Sequence, residues 1–328
     1  VTRSRRARLA GLVGRRLLFG VPLVLAVSLA TFALAAASPF DPLDAYLGDG
    51  GDGYSEVERE ALRQTLGLDQ SWLTAWWHWA TGVVTGDLGY SRVYHEPVAQ
   101  VLGERLGWST LLGLTGTVVA VALACVLGAA AGLRPGGPAD RLISAAAVLL
   151  QAVPPFVLAL GAVLTFAVTL RLFPISGLTD PGEPITATSA AAHLALPALV
   201  LGVSQLPWLI LGLREAITRA ADSDAVRGAR ARGLPRRVVD TGHILPMSLA
   251  PFFALVGGRL AELLIGATVV ESVFAWPGLG DATVASARAM DFPLLAIVTV
   301  LTVGVVLLGN LAADAAAVAV DPRIEADG

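Results

Sequence analysis

Six stretches of this chain are long enough and apolar enough to cross a bilayer, and that constrains the fold before any motif is read. A membrane helix needs about 20 apolar residues to traverse the hydrocarbon core. Residues 17–37, 108–133, 142–170 and 292–313 carry no charge, and 193–213 carry one histidine at the edge. Residues 247–270 are apolar except for Arg259 and Glu262. In lipid every backbone N–H and C=O must be satisfied within the segment, so such runs are helices. The expected fold class is an all-α membrane protein with about six transmembrane helices. Pro154-Pro155 interrupts the third run and predicts a kink or break there.

Composition removes several kinds of chemistry. Charged residues make up 15% of the 328 residues, against about 25% in soluble domains. All 23 basic residues are arginine, so neither a P-loop lysine nor a Schiff-base lysine can exist. Cys125 is the single cysteine and lies in an apolar run, which rules out an internal disulfide and a cysteine-based metal site. The four histidines are scattered; His95-Glu96 is followed by Pro97, with no second histidine at Ala99, so no metalloprotease helix is present. A net charge of −3 gives no reason to expect a nucleic-acid partner.

Arginine placement sets the orientation. With the N-terminus inside, segments 1–16, 133–141, 214–246 and 320–328 hold 16 arginines, and segments 38–107, 171–192 and 271–291 hold 6. The positive-inside rule then predicts both termini in the cytoplasm. Residues 1–16 and 320–328 are the cytoplasmic ends, 17–37 the first span, 38–107 an extracytoplasmic segment and 108–319 the core of spans two to six. The first run is long for a secretory signal and is expected to remain as an anchor.

The segment 38–107 contains 11 acidic residues. Residues 48–53 read as a loop and 56–66 as a short helix. Trp72, Trp76 and Trp79 share one helix face, which predicts an interfacial helix with its tryptophans at the headgroups in preference to a docking face for an external partner.

The cytoplasmic loop 214–246 is the most specific stretch. Ser223 offers an N-cap. Residues 225–232 form a short helix of small and arginine residues, with Arg230 and Arg232 complementing its C-terminal dipole. Gly233 is placed as the residue after the helix end, able to take positive φ. Pro235 stops that helix and begins a second, expected to run to about Pro246. The result is helix, tight corner, helix. Topology alone explains a basic loop, but it does not demand a single defined corner.

Arg227-Gly228-Ala229, then Gly233, then His243-Ile244-Leu245-Pro246 resembles the "EAA" loop of ABC importer permeases. Gly233, Leu245 and Pro246 match in spacing, whereas Arg227 and Gly228 stand where the general pattern has Glu and Ala. Arginine at that first position is similar to the oligopeptide/dipeptide/nickel branch. Other stretches resemble that branch in order along the chain: Leu66-Gly67-Leu68-Asp69, Gly86-Asp87-Leu88-Gly89, Glu271 with Phe274, Trp276-Pro277-Gly278 and Gly280, and Asp321-Pro322-Arg323. Phe40 and Ala317 depart from it. The long segment after span one fits the first of the two permeases in such systems.

The resemblance implies a permease paired with a second homologous permease subunit, two cytoplasmic ATPase subunits and an extracytoplasmic substrate-binding protein. It implies no cofactor on this chain, with ATP and Mg held by the ATPases, and no enzymatic role of its own. Arg227, Ala229, Arg230, Gly233, Leu234 and Pro235 are the expected ATPase-coupling contact, supported by His243, Leu245 and Pro246. Arg259 and Glu262, spaced to face each other on one helix, either line the path or neutralise each other. Glu271 and the Trp276-Pro277-Gly278 turn form either a gate or a shaped connector. The alternative is an ion-coupled secondary transporter using Arg259 and Glu262. The transported solute is not encoded in any motif.

Overall fold

The computed structural model describes residues 5–39, 41–47, 53–65 and 68–320. Residues 48–52, Phe40, Leu66-Gly67 and the Asp321-Pro322-Arg323 ending lie outside them. Helices dominate: α1 (Arg5–Ala36), α2 (Pro42–Leu47), α3 (Glu56–Thr65), α4 (Trp72–Thr85), α5 (Val98–Gly132), α6 (Pro138–Gln151), α7 (Pro155–Ala162), α8 (Ala187–Ala221), α9 (Asp224–Ala231), α10 (Arg236–Val239), α11 (Leu245–Gly258), α12 (Leu260–Val273), α13 (Leu279–Arg288) and α14 (Phe292–Val320). A two-residue antiparallel pair, β1 (Tyr90–Ser91) with β2 (Glu96–Pro97), is the one sheet among the described residues.

Five helical stretches are individually long and apolar enough to span: Leu18–Ala36, Val98–Gly132, Ala187–Ala221, Arg236–Gly258 and Phe292–Gly309. The expected third span is a broken pair, Pro138–Gln151 and Pro155–Thr169, bent by 100°. Pro154 caps the second half and Pro155 opens it; neither can donate a helical N–H, so the ladder cannot pass through them. Past Ala162 this half loosens to π-helix over Val163–Thr169.

Two expected boundaries are corrected. The fifth span does not run over 247–270: α11 stops at Gly258, Arg259 caps it, and α12 starts afresh at Leu260. The second helix of the cytoplasmic loop does not stop near Pro246: α10, a π segment (Asp240–Ile244) and α11 form one path into the membrane. Pro246 has no N–H and crowds the carbonyl four residues earlier. The wider i→i−5 turn just before it relieves that clash.

The chain forms two units. The first is centred on residues 110–276. In it side chains of α8 seat on glycines of α5. A Cβ on Gly116 would lie 2.8 Å from Leu201, on Gly128 3.0 Å from Leu213, and on Gly132 2.9 Å from Ile217. Small residues permit such approaches where the hydrophobic effect between helices is weak. The seam continues into one apolar cluster, including Leu213, Ile217, Val226, Ala229, Val239 and Ile244.

The second unit covers residues 13–109 and 277–307. Ser55 and Glu58 make a reciprocal capping box at the start of α3: the Ser55 N–H donates to Glu58 Oε2 at 2.8 Å, and the Glu58 N–H reaches Ser55 Oγ at 3.4 Å. Arg59–Asp44 and Arg63–Asp41 ion pairs join α3 to α2 and the residue before it. Two of the three tryptophans in the stripe of helix α4 face α1. Trp76 Nε1 donates to Ser28 Oγ at 3.1 Å, and the Trp79 ring lies 5.6 Å from Phe32. Trp76 and Trp79 of the stripe dock on α1, because indole is large enough to fill the gap between two helices, while Trp72 is exposed.

Candidate coupling corner

Ser223 caps α9, its Oγ accepting from the Val226 N–H at 3.4 Å. At the other end the Leu234 N–H donates to the Ala229 carbonyl (3.3 Å) and the Gly233 N–H to the Arg230 carbonyl (2.9 Å). Those two bonds define a Schellman motif, which requires a left-handed residue after the cap. Gly233 supplies it with φ +75. Leu234 packs against the apolar cluster that holds Val226 and Ala229, as the hydrophobic contact of that motif requires. Pro235 then caps α10, its carbonyl accepting from Val238 at 2.9 Å.

The corner has an inside and an outside. Val226 and Ala229 are fully buried, and Leu234 and Leu245 are half-buried. Arg227, Gly228, Arg230, Gly233 and Pro235 are exposed. This corrects the expected contact set: Ala229 holds the corner together from within and offers no surface to a partner. Arg227 pairs with Asp224 across one turn of the exposed face. His243 sits in the π segment with Nδ1 buried and without a hydrogen-bond partner. Pro246 is exposed.

Residues that carried no motif mount this corner on the unit. Asp140, 3% exposed, receives both Arg214 Nε (2.5 Å) and Nη2 (2.9 Å), the Gly136 N–H (2.7 Å) and the Ser144 hydroxyl (3.1 Å). A fork-on-carboxylate pair of this kind fixes direction as well as distance. It ties α8, which leads into the corner, to the turn before α6. Arg236 Nη2 donates to the Leu133 carbonyl at 2.9 Å, tying α10 to the end of α5. Sequence reading counted Arg214 and Arg236 only as topology charges. The one available signal was Pro138 followed by Asp140, a helix-start pattern.

The expected path residues do not gather at this corner. The Arg259 guanidinium lies 4.0 Å above the Trp208 ring of α8, a cation–π contact. The Glu262 side chain lies outside the described residues. Glu271 and Trp276 are buried, and the Trp276 N–H donates to the Glu271 carbonyl at 2.8 Å, closing α12 with Ala275 at φ +46. At Pro277 the chain returns to the second unit, where Gly278 caps α13. There Arg105 binds the Gly278 carbonyl at 3.3 Å and Asp281 at 3.1 Å.

Two family models match. Residues 124–326 match the inner membrane component of binding-protein-dependent transport systems, and residues 9–111 match the N-terminal part of that membrane component. The chain belongs to this family. The family's core model contains the whole corner, from Ser223 to Pro246. Among its relatives, the oligopeptide transport system permease protein AppB of Bacillus subtilis is 30% identical over 97% of this chain and all of its own length. The oligopeptide transport system permease protein OppB of Mycobacterium bovis is 32% identical over 95% of this chain and 98% of its own. In fold, the chain is similar to the inward-facing MetNI methionine ABC transporter, with a TM-score of 0.50 at 20% identity, covering 68% of this chain and 96% of that one. As a member of the family the chain is a multi-pass permease subunit of an ABC importer in the bacterial inner membrane. Membership implies an ATPase and a substrate-binding protein as partners.

Proposed function

We propose that this chain is one of two homologous permeases of a peptide importer, and that the corner at Gly233 receives the stroke of a cytoplasmic ATPase. Two such ATPases, holding ATP and Mg, would act on the permease pair, and an extracytoplasmic binding protein would deliver the solute. The peptide assignment is supported by the oligopeptide permeases that match almost end to end. The cytoplasmic placement of the corner and of both termini is supported by the arginine distribution.

The observation that carries the coupling reading is the Schellman corner with its two faces. Exposed Arg227 and Arg230 stand on a helix whose other face is locked into the apolar cluster. A push on α9 therefore reaches α8 and α10 as displacement and is not absorbed as bending. The ion-coupled alternative has less support, because Arg259 is engaged by Trp208.

Conformation, not space, restricts what can replace Gly233: no atom lies within 4 Å of where its Cβ would be, but φ is +75. A side chain there costs about 1–2 kcal/mol, least for asparagine and most for a β-branched residue. Gly233→Val should leave membrane insertion intact and abolish substrate-stimulated ATP hydrolysis in the assembled complex; Gly233→Asn should retain most of it. Full uptake by Gly233→Val would refute the coupling role.

A further inference from the structure

Helix α4 has three sides beyond the narrow strip of Ala75 and Gly82. Successive residues on an α-helix turn by about 100°, which groups Trp72, Trp76, Trp79 and Val83 on one side. Leu73, Trp77, Ala80 and Val84 form the second, and Thr74, His78, Thr81 and Thr85 the third. The first side is docked on the second unit: Trp76 and Trp79 meet α1, and Trp79 and Val83 pack on the cluster of Val98, Val101 and Leu294. The second side is apolar yet open, with Leu73 52%, Trp77 60% and Val84 87% exposed. The third side is polar and exposed at every position.

The partners of the docked side fix the level at which α4 is held. The apolar run of α1 ends at Ala36. At 1.5 Å per residue, Phe32 lies about 6 Å and Ser28 about 12 Å inside that end. Surface-bound amphipathic helices bury their apolar face about 5–10 Å into the boundary between headgroups and acyl chains. A water-facing role for Leu73, Trp77 and Val84 would leave a contiguous apolar strip exposed beside a membrane span.

We propose that α4 lies half-immersed in the bilayer interface at the Ala36 end of α1, with Leu73, Trp77, Ala80 and Val84 against phospholipid. Trp77 is the interface anchor, its ring among the acyl chains and its N–H toward the headgroups. The threonines and His78 face water. Part of the segment between the first two spans is thus a lipid contact, which helps fix how α1 sits in the membrane. The sequence pointed to an interfacial helix; the structure moves the lipid face from the Trp72–Trp76–Trp79 stripe to its neighbour.

The test uses the full chain carrying Cys125→Ser, in nanodiscs of phosphatidylethanolamine and phosphatidylglycerol. A nitroxide is attached in turn at Trp77→Cys, Val84→Cys, His78→Cys and Thr81→Cys, and its collisions with oxygen and with a water-soluble nickel chelate are compared. The oxygen-to-nickel ratio is expected to be several-fold higher at 77 and 84 than at 78 and 81. Equal ratios at all four positions, or a lower ratio at 77 and 84, would overturn the proposal. So would shielding of 77 and 84 from both reagents, which would mean that protein covers this side. Val84 is almost free of contacts, so its variant folds even if loss of Trp77 disturbs the helix.

Discussion

Asp140 and Asp291 are both buried carboxylates at the start of a helix, one in each unit, and they are held in different ways: both oxygens of Asp140 are bonded, whereas only Oδ2 of Asp291 is and its Oδ1 is buried without a partner. Asp140 is gripped by a guanidinium, with two bonds from Arg214. Asp291, fully buried, collects three neutral donors on Oδ2: the Ser91 hydroxyl at 2.6 Å and the backbone N–H groups of Arg92 and Val93 at 2.8 and 3.2 Å. It holds the turn between β1 and β2 against the entry to α14. A pair of charges fails when either charge goes. A carboxylate in a cup of dipoles fails only when its acceptor atom goes. The contrast belongs to these two carboxylates and not to their units, since the second unit also holds the Arg59–Asp44, Arg63–Asp41 and Arg105–Asp281 ion pairs.

Three experiments bear on that contrast. The largest effect is expected for Asp140→Ala, which leaves Arg214 partly buried without its counter-charge; such losses cost about 3 kcal/mol or more. Asp140→Asn should be nearly as damaging, because it keeps the shape but not the charge. Unfolding by SDS in mixed micelles measures both. Asp291→Ala should cost about 2 kcal/mol, from donors left unsatisfied, whereas Asp291→Asn should be clearly milder because its amide oxygen still accepts. If the two asparagine variants are equally destabilised, the distinction between charge pair and dipole cup is wrong. The smallest effect belongs to the capping box of α3. Donation from the Ser55 backbone N–H, then from its hydroxyl, holds the Glu58 carboxyl below the usual carboxylate range. Its folded value is depressed, so the contribution is present above the ordinary glutamate range and is lost as pH falls through the lowered value. Backbone exchange at the start of α3 should quicken at acid pH, relative to intrinsic rates, in the wild type and be insensitive to that change in Glu58→Gln.

Legibility in the sequence followed distance along the chain. The corner was readable because every bond that shapes it is local: Ser223 to Val226, Ala229 to Leu234, Arg230 to Gly233. The spans were readable because length and hydropathy are one-dimensional. The break at Arg259 was not, because no proline marks it and the charge is satisfied by Trp208 on another helix. Nor was the burial of Ala229, since a small residue on a short helix suits either face. Asp140 with Arg214, and Asp291 with Ser91, are far apart in sequence and meet only through the fold. The tryptophan stripe showed the right period and the wrong surroundings, because periodicity reports that a face exists and not what covers it.

The glycine seam between α5 and α8 has a mechanical consequence. Gly116, Gly128 and Gly132 are notches, and Leu201, Leu213 and Ile217 are the teeth seated in them. The teeth repeat the spacing of the notches in the same chain direction. The two helices therefore mesh like splines on a shaft: sliding one past the other would unseat all three teeth at once. A stroke delivered to the end of α8 cannot be taken up as slip along this seam, so α5 travels with it.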